Sequence, residues 1–519
     1  MRQITNVYFI CSIAALADIA QGGMLFGFDI SSMSGVLGTQ AYKRFFGHPA
    51  SYTQGFITAS MPAGSLAGSL ASAVLADRMS RKGSLQMACV LWMTGSLVQS
   101  ASQNVAMLCA GRALAGLCVG IASSVVPVYQ SEMAPKEIRG RVVSLYQWAI
   151  TWGILIQFFI QYGVAESIGQ GPDDAAQSTT AFRIPWAVQA VPAALLLTGL
   201  FFCPHSPRWL ASRDRWHEAL VVLADLHGGG DRRHRSVRAQ YLEIENALRY
   251  DREVHGMGYR ALLRKKVGRR VVLGMSIQAW SQLCGMNIMM YYIVYVMESA
   301  EIGSPLLTAS IQYIINVVLT LPAILYLDRW GRRPALVVGS LLMMTWLITS
   351  GAIQHKFGQP NQGNTLTRQN KAISWIVVKN KPASSAIVAC SYLFVATFAT
   401  TWGPTSWTYP AEIFPVHIRA KAVSLTTATN WFFNTVLAFA VPPLFNAASF
   451  IHMFLEARET KGFTLEEMDQ VFSAGWAVGR WRSGHGPKSG QRLEEIEMRL
   501  EEAEAGTKGS EAPFVRELS

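Results

Sequence analysis

Charge is what this sequence has least of. Only 15% of its residues are Asp, Glu, Lys or Arg, where a soluble domain averages about 25%. That deficit excludes a disordered chain, and it excludes a soluble enzyme of this size, whose water-facing surface would need more charge. Cysteine is sparse too: Cys11, Cys89, Cys109, Cys118, Cys203, Cys284 and Cys390 all lie within or at the ends of apolar runs, without a CxxC spacing. They read as small core residues, and neither a disulfide framework nor a metal site follows. No cleavable signal peptide is evident, because the apolar stretch from Val7 is too long and runs on as a helix. What remains is apolar, 50% of 519 residues. The class is membrane protein.

A helix of roughly 20 mostly apolar residues crosses a bilayer. Eleven stretches qualify, at 7–37, 54–76, 84–101, 105–129, 142–163, 184–203, 271–297, 306–327, 335–354, 384–410 and 421–445. The net charge of +12 would form a basic face in a nucleic-acid binder. Here the basic residues form short clusters between apolar runs, so no nucleic-acid partner is expected. After even-numbered spans stand Arg78, Arg81 and Lys82; Lys136, Arg139 and Arg141; a dense set from Arg208 to Arg270; Arg329, Arg332 and Arg333; and Arg419 with Lys421. Odd-numbered spans are followed by few, apart from Lys356, Arg368, Lys371, Lys379 and Lys381. This asymmetry places the N-terminus and the 204–270 loop in the cytoplasm.

The chain also repeats itself. Ser131-Glu132-Met-Ala-Pro135 through Ile138-Arg139-Gly-Arg141 to Ser144-Leu145 matches Ala411-Glu412-Ile-Phe-Pro415 through Ile418-Arg419-Ala-Lys421 to Ser424-Leu425. Asp77-Arg78-Met-Ser-Arg81-Lys82 likewise matches Asp328-Arg329-Trp-Gly-Arg332-Arg333. Two homologous halves follow, an N-terminal six-helix bundle at 1–203 and a C-terminal bundle at 271–456, joined by a loop with short helices at 204–270 and trailed by a largely disordered tail at 457–519. Parallel repeats of this kind mark a transporter whose site lies at mid-membrane between the halves. The twelfth span is reduced to a stub, since the apolar run Ala448–Leu455 is too short to cross a bilayer.

Several motifs together resemble the sugar porters of the major facilitator superfamily, and among them the fungal hexose transporters of the high-affinity glucose type. They are Gly22-Gly23-Met-Leu-Phe26-Gly27-Phe28-Asp29, the Asp77 and Asp328 basic motifs, Gly111-Arg112, Pro127-Val-Tyr129-Gln-Ser-Glu132, Pro204-His-Ser-Pro-Arg-Trp-Leu210, Gln282-Leu-Cys-Gly285-Met-Asn287 with Tyr291-Tyr292, Trp402-Gly403-Pro404-Thr-Ser-Trp407 and Glu459-Thr-Lys-Gly462. This chain departs from the family pattern at His205, where Glu is usual, at Ser80, where Gly is usual, and at Ser281, where a first Gln is usual. The resemblance implies an all-α, multi-pass major facilitator fold of two pseudo-symmetric six-helix halves. It also implies a monomeric carrier in the plasma membrane that imports a monosaccharide, glucose or another hexose, by proton symport, with the proton as coupling ion and no cofactor. A sugar sensor without net transport, and a non-functional carrier lacking its twelfth span, are the alternatives. An enzyme is disfavoured, because the polar groups inside the spans are mostly amides, with no nucleophile and base pair.

A sugar needs amides that both donate and accept, and aromatic rings for its apolar faces. Gln147, Gln278, Gln282, Asn287, Asn316 and Asn430 are amides inside apolar helices. From the pattern alone they either contact a ligand or bridge helices. The resemblance assigns Gln147, Gln282, Asn287, Asn316, Trp407 and Asn430 to sugar-contacting positions, with Gln278, Tyr291 and Trp431 close by, whereas Gln157 and Asn434 read as structural. Asp29, a carboxylate inside the first span, requires either a proton or a partner, and Arg112, alone in the fourth, is the obvious one. The pair is either a proton switch, as the resemblance implies, or a static tie between two spans. Asp77, Arg78, Arg81, Glu132, Arg139, Asp328, Arg329, Arg332, Arg333, Glu412 and Arg419 are the expected cytoplasmic latch, pairs of which would cross between the halves.

Overall fold

The computed structural model of the chain describes residues 21–47, 51–134, 139–169, 178–253, 262, 265–287, 289–290, 305–357, 359–360, 375–376, 380–414 and 416–439. The N-terminal half holds α1 (Gly22–Gly38), α2 (Gln40–Phe45), α3 (Ser51–Ser100), α4 (Val105–Met133), α5 (Arg139–Gly169), α6 (Thr180–Val188) and α7 (Ala190–Phe202). Three short helices follow, α8 (Pro207–Ser212), α9 (Trp216–His227) and α10 (Arg235–Glu253). The C-terminal half holds α11 (Lys265–Leu283), α12 (Pro305–Trp330), α13 (Arg332–Phe357), α14 (Lys381–Thr400), α15 (Trp402–Ile413) and α16 (Val416–Phe439). Between α13 and α14, Gln359–Pro360 and Trp375–Ile376 pair as a two-residue antiparallel ladder. The expected all-α, multi-pass architecture is therefore what forms. The stub at 443–456, the tail and Tyr291 lie outside the described residues.

Each of the eleven expected spans falls at least in part on a described helix, while 7–20, 291–297 and 440–445 lie outside the described residues. Among the described residues, seven stretches are long and apolar enough to cross a bilayer: Thr53–Ser100, Val105–Met133, Gly140–Val164, Thr180–Phe202, Ser310–Trp330, Arg332–Phe357 and Lys381–Ile413. The first carries two expected spans, broken at Ser80, whose φ of 72° and ψ of 165° lie in a region open essentially to glycine alone. The last is interrupted at Thr401, where φ −128° and ψ −78° separate α14 from α15. Large apolar side chains such as Phe202, Leu195, Val318 and Ile348 stand exposed around the outside. On a water-soluble protein such a surface would drive aggregation; on a membrane protein it faces lipid.

Small residues let these helices approach. Gly64 and Gly68 of α3 press on the carbonyls of Ala113 and Leu117, while Gly116 and Gly120 of α4 press on those of Met61 and Ser65. Two glycine pairs at i, i+4 thus interlock backbone against backbone, the arrangement that gives association in lipid where no hydrophobic force acts between helices. A Cβ at any of them overlaps main chain, which cannot step aside. Gly68→Leu is expected to remove nearly all folded protein. Fluorescence-detected size exclusion of a tagged variant checks this: a monodisperse peak of wild-type height would contradict it.

At one end of the bundle α8, α9 and α10 enclose a small core of their own, from Leu210, Leu220, Leu223, Val237, Tyr241 and Ile244. Of the short helices expected in the 204–270 loop, α9 stops at Gly228, with Gly229 and Gly230 at φ of 60° and 91°.

Candidate functional site

At mid-depth of the C-terminal half, α11 and α16 bring four amides together. Asn287 Nδ2 donates to Gln282 Oε1 at 2.7 Å, Gln282 Nε2 to Asn430 Oδ1 at 3.1 Å, and Asn430 Nδ2 to Gln278 Oε1 at 2.6 Å. Gln278 Nε2 in turn donates to the Ser406 carbonyl of α15 at 2.9 Å. The i, i+4 spacing of Gln278 and Gln282 puts both on one face of α11. Helix α11 ends just beyond, and Gly285 at φ 87° turns the chain so that Asn287 reaches back to Gln282. Asn316 of α12 is buried, and its Oδ1 has no hydrogen-bond partner among the described residues. A buried acceptor left unpaired costs about 1–3 kcal/mol, which a ligand hydroxyl would recover.

The N-terminal half meets this cluster through aromatic side chains. Trp407 Nε1 of α15 donates to Gln147 Oε1 of α5 at 3.1 Å, and the Trp407 ring stands edge-on to Tyr146 at 5.2 Å. Trp431 Nε1 of α16 donates to Ser123 Oγ of α4 at 3.0 Å, and its ring packs edge-on against Phe26 of α1 at 4.8 Å. Both indole N–H groups are thus engaged across the halves. Away from the end that bears α8, Ser34 and Tyr313 share a hydrogen bond at 3.2 Å across the halves. At the opposite end Ser144 and Thr408 do so at 3.3 Å, and Ser424 Oγ donates to the Ser69 carbonyl at 2.6 Å. The halves therefore touch at three depths, with the amides between.

Asp29 and Arg112 pair as the sequence suggested. Arg112 Nη2 lies 3.2 Å from Asp29 Oδ2, and both side chains are 0% exposed. Arg112 Nε donates to the Ile57 carbonyl at 3.0 Å, which anchors the guanidinium to α3. The pairing is incomplete, because Asp29 Oδ1 and Arg112 Nη1 have no partner among the described residues. A buried pair with two of its five polar atoms unmet gains little over two neutral groups.

The latch residues sort differently from the sequence expectation. Arg81 Nη2 binds Glu132 Oε1 at 3.0 Å within the N-terminal half. Its repeat mate Arg332 grips Glu412 through Nε at 3.1 Å and Nη2 at 2.8 Å within the C-terminal half, and also reaches Asp328 at 2.8 Å. Among the described residues the ion pair that crosses is Arg141 to Asp328 at 3.3 Å, and Arg141 stands outside the expected latch set. Its repeat mate Lys421 attracts Asp77, the mate of Asp328, electrostatically, so the charges that face each other across the halves follow the pseudo-symmetry. Asp77 also sits 3.8 Å from Arg81. Arg329 lies over the Tyr326 ring, Arg419 donates to the Phe414 carbonyl at 3.2 Å, and Arg78 is exposed. The Arg139 side chain lies outside the described residues.

Two departures from the family pattern touch. His205 Nδ1 lies 3.0 Å from Ser80 Oγ, and the imidazole stacks on Trp209. Burial lowers the pKa of His205, Lys82 and Arg215 lower it further, and Glu218 opposes them. The neutral ring therefore belongs to the folded state. Stability from it is complete above the unfolded value of about 6.5 and is lost as pH falls below that, where the unfolded chain takes the proton first. Between about pH 7.5 and about pH 5.5 the unfolding temperature of the purified protein should drop further for wild type than for His205→Gln. Equal drops would contradict the assignment.

The family model described as "Sugar (and other) transporter" matches residues 15–472. The chain is 56% identical over 515 residues, covering 96% of itself and 95% of the relative, to an MFS glucose transporter, mfs1, of Aspergillus flavus. It is 42% identical over 487 residues, 91% of itself and 86% of the relative, to a high-affinity glucose transporter of Kluyveromyces lactis. Among solved structures it resembles the proton:xylose symporter XylE bound to 6-bromo-6-deoxy-D-glucose, with a TM-score of 0.74, 26% identity, and coverage of 89% of this chain and 99% of that one.

Proposed function

We propose that this chain, which belongs to the sugar (and other) transporter family, imports glucose or a closely related hexose together with a proton by alternating access. The amides and indoles at mid-depth carry the reading: Gln147, Gln282, Asn287 and Asn316 supply donors and acceptors, and Trp407 and Trp431 supply aromatic surface, at a level to which both halves contribute. Sugar and proton bind while the end bearing α8 is closed by Arg141–Asp328 and its mates, and are released when those contacts part. The glucose-transporting relatives and the proton symport named for XylE support the substrate and the coupling.

Asp29 carries the coupling. Beside Arg112 its charge is compensated. If Arg112 withdraws during the transition, a lone buried carboxylate would cost several kcal/mol, so the carboxyl takes a proton instead. Proton occupancy thereby follows conformation, which is what symport requires.

Labelled-glucose uptake in cells without their own hexose carriers tests the reading. Saturable uptake is expected, and Gln282→Ala should raise KM by about tenfold, the loss of one or two buried hydrogen bonds. Sugar binding without uptake would instead identify a sensor.

A further inference from the structure

The four amides of the C-terminal half are joined head to tail in one direction. Each nitrogen donates to the oxygen of the next, from Asn287 through Gln282, Asn430 and Gln278 to the carbonyl of Ser406. The last link sets the direction of all the others. A backbone carbonyl can only accept, so Gln278 must turn its nitrogen to Ser406 and its oxygen to Asn430. Asn430 must then turn its oxygen to Gln282, and Gln282 its oxygen to Asn287. The oxygen left over is that of Asn287, which has no partner among the described residues and sits at the half-buried head of the chain. Gln278 and Asn430 are 1% exposed, and each has both ends of its amide committed to protein.

Resting on the sugar reading above, we propose that Gln278 and Asn430 are positioning residues, which act through the chain to present the Asn287 oxygen as the acceptor for one sugar hydroxyl. Hydrogen bonds in such a chain polarise one another, so a hydroxyl bound at Asn287 strengthens the grip on Ser406 at the far end. Ser406 belongs to α15, the helix that begins at the Thr401 break and carries both Trp407 and Glu412. The chain therefore links sugar occupancy to the helix that bonds Gln147 across the halves and holds Arg332 of the latch.

The test is a mutant cycle read as D-glucose affinity of the purified full-length protein, followed by tryptophan fluorescence, with the monodeoxyglucoses as a second series. Gln278→Met and Asn287→Ala are each expected to weaken binding about tenfold. Residues that share no partner act additively, which would make the double variant about a hundredfold weaker. The chain predicts that the double variant is no weaker than about tenfold, and that the same deoxyglucose is indifferent to both changes. Gln278→Glu supplies an independent arm. Protonated, its acid donates to Ser406 and accepts from Asn430 as the amide does, so it should match wild type in acid and Gln278→Met in alkali. Additive losses, losses that map to different hydroxyls, or a Gln278→Glu protein with a wild-type pH profile would overturn the chain while leaving the sugar reading intact. Absence of any monosaccharide binding by wild type would overturn the sugar reading, and the chain with it.

Discussion

Asp29→Asn is expected to abolish uphill accumulation of glucose while exchange of labelled for unlabelled glucose continues. Asparagine keeps the shape of the side chain and can still accept from Arg112, so the contact between α1 and α4 survives in neutral form. What it cannot do is take up or release a proton. With one proton per sugar, each pH unit of gradient supports about a tenfold ratio of sugar across the membrane, and in the variant that ratio should fall to one. Arg112→Leu provides the contrast. It strands a fully buried carboxyl, and breaking one partner of such a pair costs about 3–5 kcal/mol, so folded yield should drop as well as coupling. Undiminished accumulation by Asp29→Asn, measured with an imposed gradient, would remove Asp29 from the coupling step.

Gly140→Ala is expected to open the end of the bundle that bears α8. Gly140 is the second residue of α5, between the two halves, and a Cβ there overlaps Asp328 Oδ1 and Arg332 Nη2 of the C-terminal half. Those atoms are side-chain tips and can move, unlike the main chain packed against Gly68, so the protein still folds. They can move only by loosening the Arg141–Asp328 pair and the Asp328–Arg332–Glu412 cluster, most of which is buried. The expected result is a shift toward the open form. A cysteine introduced as Ser144→Cys, 0% exposed opposite Thr408, reports it. Its labelling by a thiol reagent should rise about tenfold in the Gly140→Ala background, the effect of some 1.4 kcal/mol on a two-state equilibrium. Arg141→Ala should act in the same direction by only a few-fold, because that pair is partly exposed. Unchanged labelling in both backgrounds would mean the pair does not hold this end shut.

Much of this was legible in the sequence because a bilayer makes its demands explicit. Apolar runs of sufficient length fall on the helices described, and the repeated acidic and basic motifs mark two halves. Asp29 and Arg112 were readable as partners because each is a charge inside an apolar helix, where it can hardly stand alone. The latch was legible in its members but not in its pairing. Glu132 and Glu412 bind arginines of their own halves, and the crossing falls to Arg141, in the first turn of α5. The clue was in the repeat: Arg141 and Lys421 are mates, as are Asp328 and Asp77, and pseudo-symmetry brings each to the other half. Two features left no such trace. Gln278 is oriented by a backbone carbonyl, which every residue has, so no pattern of side chains points to Ser406. Ser80 and His205 were visible as separate departures from the family, but that they touch depends on how the Ser80 break swings the start of the third span toward Pro204.

The central claim is that sugar and proton cross together, and a single measurement addresses it most directly. The purified protein is placed in liposomes with no pH gradient, glucose is added outside, and external pH is recorded. Glucose should drive protons inward with it, so the outside should become more alkaline on addition, and Asp29→Asn liposomes should take up glucose to equilibrium with no pH change. Glucose entry into wild-type liposomes at constant external pH would contradict the account.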